Sequence, residues 1–234
     1  MISRDSVSAS PPDFYQPVDL RAVLDAALGI AVTAWVRIRR RKLLQEVHRR
    51  DEPRTAGLLY LHMVQVERER RPRRPKMKIK SEVGTFSADD VEIADGRIDI
   101  EIIYSLDDEP DLRLECKRVS SSTEDDRARL ARYYVDGGVL RFVGDKYGRG
   151  HSWGVLVALV VDGRSAAAAR LIADYVSREV RCHLLVPFEN AGLAPRRHLF
   201  KTEHRQGDGP RAIRLLHLFL PFSRRLKTIS ATLK

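Results

Sequence analysis

The chain has 234 residues, 43% of them hydrophobic and 32% charged, and 42 Lys and Arg against 32 Asp and Glu give it a net charge of +10. That length suits one compact domain, or one domain with a helical appendage. Two cysteines, Cys116 and Cys182, exclude a disulfide framework and favour a reducing compartment, while the basic excess favours polyanionic partners, nucleic acid ahead of membrane surfaces.

Residues 1–17 are Ser- and Pro-rich and are expected to be disordered; no basic region followed by an apolar core marks a secretory leader, and a cytoplasmic location is expected. Leu20, Val23, Leu24, Ala27, Leu28 and Ala31 recur at helical spacing, which predicts a helix from Asp19, a reasonable cap, to about His48. The stretch carries Arg21 and Asp25 and is short for a membrane span, so it reads as a buried or amphipathic helix. Residues 18–50 are therefore taken as an N-terminal helical extension and 51–234 as the main domain. A second helix is expected over Thr55–Arg70, broken by the prolines of RRPRRPK.

Strand character follows in MKIKSEVGTF and VEIADG, then in the two halves of GRIDIEIIYSLDDEPDLRLECKRV, residues 96–119. SSTEDDRARLARYYVDGG reads as a helix capped by Ser122 or Thr123 and stopped by Gly137-Gly138. SWGVLVALVV is a continuous apolar run, as in a strand buried on both faces. SAAAARLIADYVSREV is a helix, and CHLLVPF and RLLHLFLPF are strands. Helices, a β-meander, then helix, strand, helix and strand predict an α/β fold around a central mixed sheet flanked by helices.

The hairpin carries the chemistry. Side chains alternate along a strand, so Asp99 and Glu101 share one face of the first strand, and Glu115 and Lys117 share one face of the second. With the acidic turn SLDDEPD between them and pairing centred near Asp107, Asp99 falls opposite Glu115 or Lys117, where cross-strand Cβ atoms lie roughly 5 Å apart. Close, partly desolvated carboxylates need a cation. A hard divalent ion such as Mg²⁺ takes oxygen ligands and keeps waters that a phosphate can replace, and the Cys116 carbonyl lies within reach of the same site. The competing reading of the same residues is a solvated ion-pair lattice on the outer face of the sheet.

Ile98-Asp99, then a turn, then Glu115-Cys116-Lys117, resembles the PD-(D/E)xK, or restriction-endonuclease-like, nuclease superfamily over roughly residues 45–162, with Ile98 in place of the proline. The resemblance implies an α-β-β-β-α-β core and metal-dependent hydrolysis of nucleic-acid phosphodiesters. Asp99 and Glu115 would be metal ligands, Lys117 catalytic and Mg²⁺ the cofactor, with Mn²⁺ as substitute. It also implies double-stranded DNA as the expected partner, roles in restriction, anti-phage defence or repair, and a possible homodimer. The family's first helix usually donates another acid; Glu52 and Glu46 are the candidates, with Glu52 preferred because DEPRT stands where that helix begins. Glu101 is a further possible ligand.

Lys146 and Arg149, in the glycine-rich RFVGDKYGRGHSWG, together with Arg132 and the cations Arg73 and Arg74, form a candidate phosphate track, against the plainer reading of solvated basic faces. His183, His198, His204 and His217 are too irregularly spaced for a zinc site. No glycine-rich nucleotide loop and no serine nucleophile elbow is present, so no nucleotide cofactor is expected. The alternative to a nuclease is a non-catalytic nucleic-acid-binding or assembly subunit with the same fold. A basic membrane-surface protein is a third option.

Overall fold

The computed structural model describes residues 20–40, 51–70, 77–81, 99–104, 112–122, 124–144, 146–147, 152–193, 198–207 and 209–222. Helices α1 (Leu20–Arg40) and α2 (Glu52–Glu69) precede strands β1 (Lys78–Lys80), β2 (Ile100–Ile103) and β3 (Leu112–Val119). Helix α3 (Glu124–Tyr134), strand β4 (Trp153–Val160), helix α4 (Ser165–Arg178) and strands β5 (Leu184–Asn190), β6 (Leu199–Arg205) and β7 (Ala212–Pro221) complete the described chain. All seven strands form one mixed sheet in the order β1-β2-β3-β4-β7-β6-β5. Strands β1, β2 and β3 are antiparallel, β3, β4 and β7 run parallel, and β7, β6 and β5 are antiparallel again. The protein is thus α/β with a mixed sheet, as its alternating pattern predicts. No helix among the described residues is long and apolar enough to cross a membrane.

Alternation divides the side chains of the sheet between two cores. Ile100, Ile102, Leu114, Cys116, Val155, Val157, Leu216 and Leu218 pack with α1 and α2. Val119, Leu156, Ala158, Val160, Leu215 and Phe219 pack with α3 and α4 on the other side. Strand β4 is buried along almost its whole length, which is why it reads as an unbroken apolar run. Helix α1, taken from the sequence as an extension, contributes Leu24, Leu28, Ala31 and Trp35 to the first core. The Trp35 Nε1–H donates to the Pro221 carbonyl at 3.0 Å, and its ring meets Phe222 edge-on at 4.9 Å.

Several boundaries differ from expectation. Helix α2 begins three residues earlier than predicted, because Asp51 caps it: its Oδ1 accepts the Arg54 N–H at 3.0 Å, and Pro53 fits the first turn, where no amide partner is needed. Gly137-Gly138 does not stop the helix that holds Asp136. The helix runs on through a π-turn (Val135–Val139) into a last α-helical turn (Leu140–Val143). Cys182 closes a short 3₁₀ turn and His183 takes a left-handed conformation, so the strand expected from Cys182 starts at Leu184. Strand β6 was not foreseen. Residues 1–17, Asp19, the basic stretch 41–50 with Glu46, the VEIADG segment and Thr123 lie outside the described residues.

Candidate active site

The site forms where β3 outruns its neighbour. The last pair between β2 and β3 is Ile100↔Leu114, which sets Asp99 across from Glu115 one step beyond the ladder. Beyond that point the amides of Cys116 and Arg118, on the β2 side of β3, meet no strand among the described residues, and a buried amide needs a partner. Two carboxylates supply it. Asp99 Oδ2 accepts the Cys116 N–H at 2.7 Å, and Glu52 Oε2, from the first turn of α2, accepts the Arg118 N–H at 2.8 Å. An open strand edge thereby draws acids from two distant elements to one place.

Lys117 ties Glu52 to Glu115. Its Nζ donates to Glu115 Oε1 at 2.7 Å, to Glu52 Oε1 at 2.9 Å and to the Cys116 carbonyl at 3.1 Å. The side chains of Glu115 and Lys117 are only 2% and 4% exposed, which excludes the solvated-lattice reading. The Tyr133 ring lies 5.1 Å from Nζ. The π-turn explains the glycines. A Cβ at Gly137 would stand 3.3 Å from Lys117 Cε and from Tyr133 Cε2, and one at Gly138 would meet Leu156 Cδ2 at 2.7 Å. Gly137-Gly138 thus lets the helix approach the lysine closely, at a kind of irregularity often found beside functional sites.

Charge balance sets the chemistry. Three carboxylates face the Lys117 ammonium and the Arg141 guanidinium, which stands 3.7 Å from Glu115 Oε1. Burial, and then repulsion from Asp99, push Glu115 up to about 8, against the pull of Lys117 and Arg141. Burial pushes Asp99 up to about 6, opposed by Lys117 and the Cys116 amide. Burial alone would discharge Lys117, but Glu115, Glu52 and Asp99 outweigh it and hold the ammonium protonated well past the ordinary lysine range. Burial raises the Cys116 thiol far above its usual value, and its side chain lies in the first core, so only its carbonyl reaches the site.

The donor set suits a hard divalent cation: the carboxylates of Asp99, Glu115 and Glu52 and the carbonyl of Cys116 are all oxygens. Glu115 Oε2 is buried with no hydrogen-bond partner, a costly state that a cation would relieve. Among the described residues no group of three or more His, Cys, Asp or Glu is preassembled around a metal position. The Lys117 ammonium lies between Glu52 and Glu115 and neutralises them directly.

Other expected residues fall elsewhere. Arg132, 79% exposed, pairs with Asp136 at 3.3 Å in a surface array that includes Arg181 and Glu179. Lys146 is exposed in a turn beside Tyr147, whereas Arg73, Arg74 and Arg149 lie outside the described residues. Glu101 is engaged by Arg113 at 3.5 Å. Sequence reasoning missed Tyr133, and it had Arg141 and Tyr147 only as part of the candidate phosphate-binding segment RFVGDKYGRGHSWG, not beside the carboxylates. The signal available for them was the glycine pair within a helical pattern, which implies close approach as readily as termination. Searches against family models, curated proteins and solved structures find no match to this chain.

Proposed function

We propose that this protein is a metal-dependent nuclease that hydrolyses phosphodiester bonds of nucleic acid, with double-stranded DNA the first substrate to test. The observation that carries the proposal is the convergence of Glu115 and Glu52 on one buried lysine at the open edge of β3, with Asp99 held beside them on the Cys116 amide and Glu115 Oε2 left unpartnered. The run α2-β1-β2-β3-α3-β4 agrees with the α-β-β-β-α-β order expected of a restriction-endonuclease-like core, and the net charge of +10 suits a polyanion.

Asp99, Glu115, Glu52 and the Cys116 carbonyl would hold Mg²⁺, or Mn²⁺ in its place. When bound, such an ion supplies Lewis acidity at a phosphodiester oxygen and neutralises the carboxylates. Lys117 stays protonated, so its role is that of a charged donor rather than a base: with Glu115 and Glu52 turned to a bound cation, the N–H groups they now occupy would be released to orient the attacking water and offset negative charge gathering on the phosphate. Tyr133 shields one side of that ammonium. Two copies acting together would suit cleavage of both strands of a duplex.

Incubation with circular DNA, linear DNA and RNA in Mg²⁺, Mn²⁺ or EDTA, for the natural protein and Asp99→Ala, tests the proposal. Cleavage is expected with either metal and is expected to vanish in EDTA and in the variant; cleavage persisting in either contradicts the mechanism. The alternative, a nucleic-acid-binding subunit without activity, draws on the completeness of the Lys117 ion-pair knot, which closes on itself. Lys117→Ala separates the two readings, because an enzyme loses cleavage and keeps binding, whereas a pure binder never cleaves.

A further inference from the structure

An ammonium has three donors, and those of Lys117 are all engaged, by Glu115, Glu52 and the Cys116 carbonyl. The other cation at the site is differently placed. Arg141 follows the π-turn, and its guanidinium points at Glu115 Oε1 from 3.7 Å, too far for a hydrogen bond. It donates to the Tyr147 hydroxyl and lies 5.5 Å from the centre of that ring. Tyr147 is itself fixed: its N–H donates to the Arg141 carbonyl at 3.0 Å, and its carbonyl accepts from Arg113 Nη1 at 2.9 Å. The Arg141 side chain is 27% exposed, so one side meets solvent while the other faces Glu115.

We propose that Arg141 is a further catalytic residue, the one that grips non-bridging oxygens of the substrate phosphodiester. A guanidinium is a planar fork of five donors that matches two phosphate oxygens at once. Arg141 commits one nitrogen to Tyr147 and makes no other hydrogen bond with a described residue. The hydrogen bond to the Tyr147 hydroxyl anchors the guanidinium, and an oxygen held there stands beside Glu115. The proposal rests on the nuclease reading for its catalytic part; as an anion-binding site it stands on geometry alone.

The test compares the natural protein with Arg141→Ala, Arg141→Lys and the control Arg178→Ala, which removes an exposed arginine of α4. Two readouts are taken: cleavage of a DNA duplex in Mg²⁺, and affinity for a short fluorescein-labelled duplex in EDTA over a series of salt concentrations. Arg141→Ala is expected to lower kcat/KM about a hundredfold, and to reduce the slope of log affinity against log salt by about 0.9, the share of one phosphate contact. Arg141→Lys keeps the charge without the fork and should fall between. A loss confined to kcat supports the same contact, made at the transition state. Natural cleavage and an unchanged salt slope in both Arg141 variants overturn the proposal. If the natural protein cleaves nothing, the nuclease reading fails, and the salt slope alone decides: a reduced slope keeps Arg141 as an anion site and an unchanged slope removes it. Unfolding midpoints of all variants are recorded, and if Arg141→Ala fails to fold, Arg141→Lys carries the comparison.

Discussion

Two clusters of buried polar groups lie in the same sheet, and they differ in how completely their needs are met. At the open edge of β3, three acids share two cations and one carboxylate oxygen has no partner. Between β6, β7 and α3, Thr202, His204, His217 and Tyr134 form a chain with every donor matched. Its proton order follows from one end. The Cys182 carbonyl only accepts, so His204 Nδ1–H donates to it, at 2.7 Å. Neutral His204 then accepts at Nε2 from the Thr202 hydroxyl, Thr202 accepts from His217 Nε2–H, and His217 Nδ1 accepts from the Tyr134 hydroxyl. Burial lowers the pKa of His204 to about 4 and holds that of His217 well below the ordinary histidine value, keeping both rings neutral. A satisfied network fixes structure; an unsatisfied one leaves a buried group that a bound ligand would stabilise.

Activity gives the largest contrast. Asp99→Asn or Lys117→Met should lower cleavage about a thousandfold, in line with loss of a group that acts on charge in the transition state. Thr202→Val should leave cleavage per folded molecule unchanged. Equal losses from the two clusters would erase the distinction between them.

Stability should show the reverse. Thr202→Val strands a nitrogen on each of two buried histidines, at about 1–3 kcal/mol for each group left unsatisfied. For a chain of this size that lowers the unfolding midpoint by about 2–4 °C per kcal/mol. Glu115→Gln removes a charge that burial disfavours, so in EDTA at pH 8 it should raise the midpoint. A destabilised Glu115→Gln under those conditions would mean that the carboxylate is fully compensated by Lys117 and Arg141.

The pH dependence separates the clusters by sign. The native state holds Glu115 up to about 8 against an ordinary value of 4.5, so it keeps a proton that the unfolded chain has already released. In EDTA this contribution to stability is whole below pH 4.5 and is lost as pH rises toward 8; Asp99 acts likewise between 3.8 and about 6. His204 acts in the opposite direction. Its native value of about 4 lies below the ordinary 6.5, so its contribution is whole above 6.5 and is lost as pH falls toward 4. Thermal unfolding across pH should show both limbs, with Glu115→Gln flattening the alkaline one alone.

The same contrast explains how much was legible in the sequence. The charged cluster announced itself, because acids and a lysine at alternate positions of apolar strands are conspicuous, and the register Ile100↔Leu114 sets Asp99 across from Glu115, one of the two partners that the hairpin pattern allowed. Glu52 was legible because Asp51-Glu52-Pro53 carries a helix-start signature. Strand β6 was not, because its buried positions include Thr202 and His204, polar residues that hide the alternation, and their partners Tyr134, Cys182 and His217 lie far away in the chain. The position of Arg141 beside Glu115 was hidden for a related reason, although the residue opens a segment read as phosphate-binding: it depends on the helix continuing past two glycines that read as a stop.

Those glycines give the smallest and most discriminating prediction. In an ordinary helix interior, Gly→Ala stabilises by roughly 0.5–1 kcal/mol. At Gly137 the added methyl would stand 3.3 Å from Lys117 Cε and Tyr133 Cε2, a tight contact that displacements of a few tenths of an ångström relieve. The two effects nearly cancel, so the unfolding midpoint of Gly137→Ala should stay within about 2–4 °C of the natural value, the shift that 1 kcal/mol produces. Cleavage is more sensitive, because a displacement of about 1 Å in a catalytic group can cost a hundredfold in rate; for the smaller shift here a loss of about tenfold in kcat is expected, with duplex affinity unchanged. Normal cleavage in Gly137→Ala would mean that the position of Lys117 is set by its carboxylates alone, and that the π-turn is packing rather than part of the site.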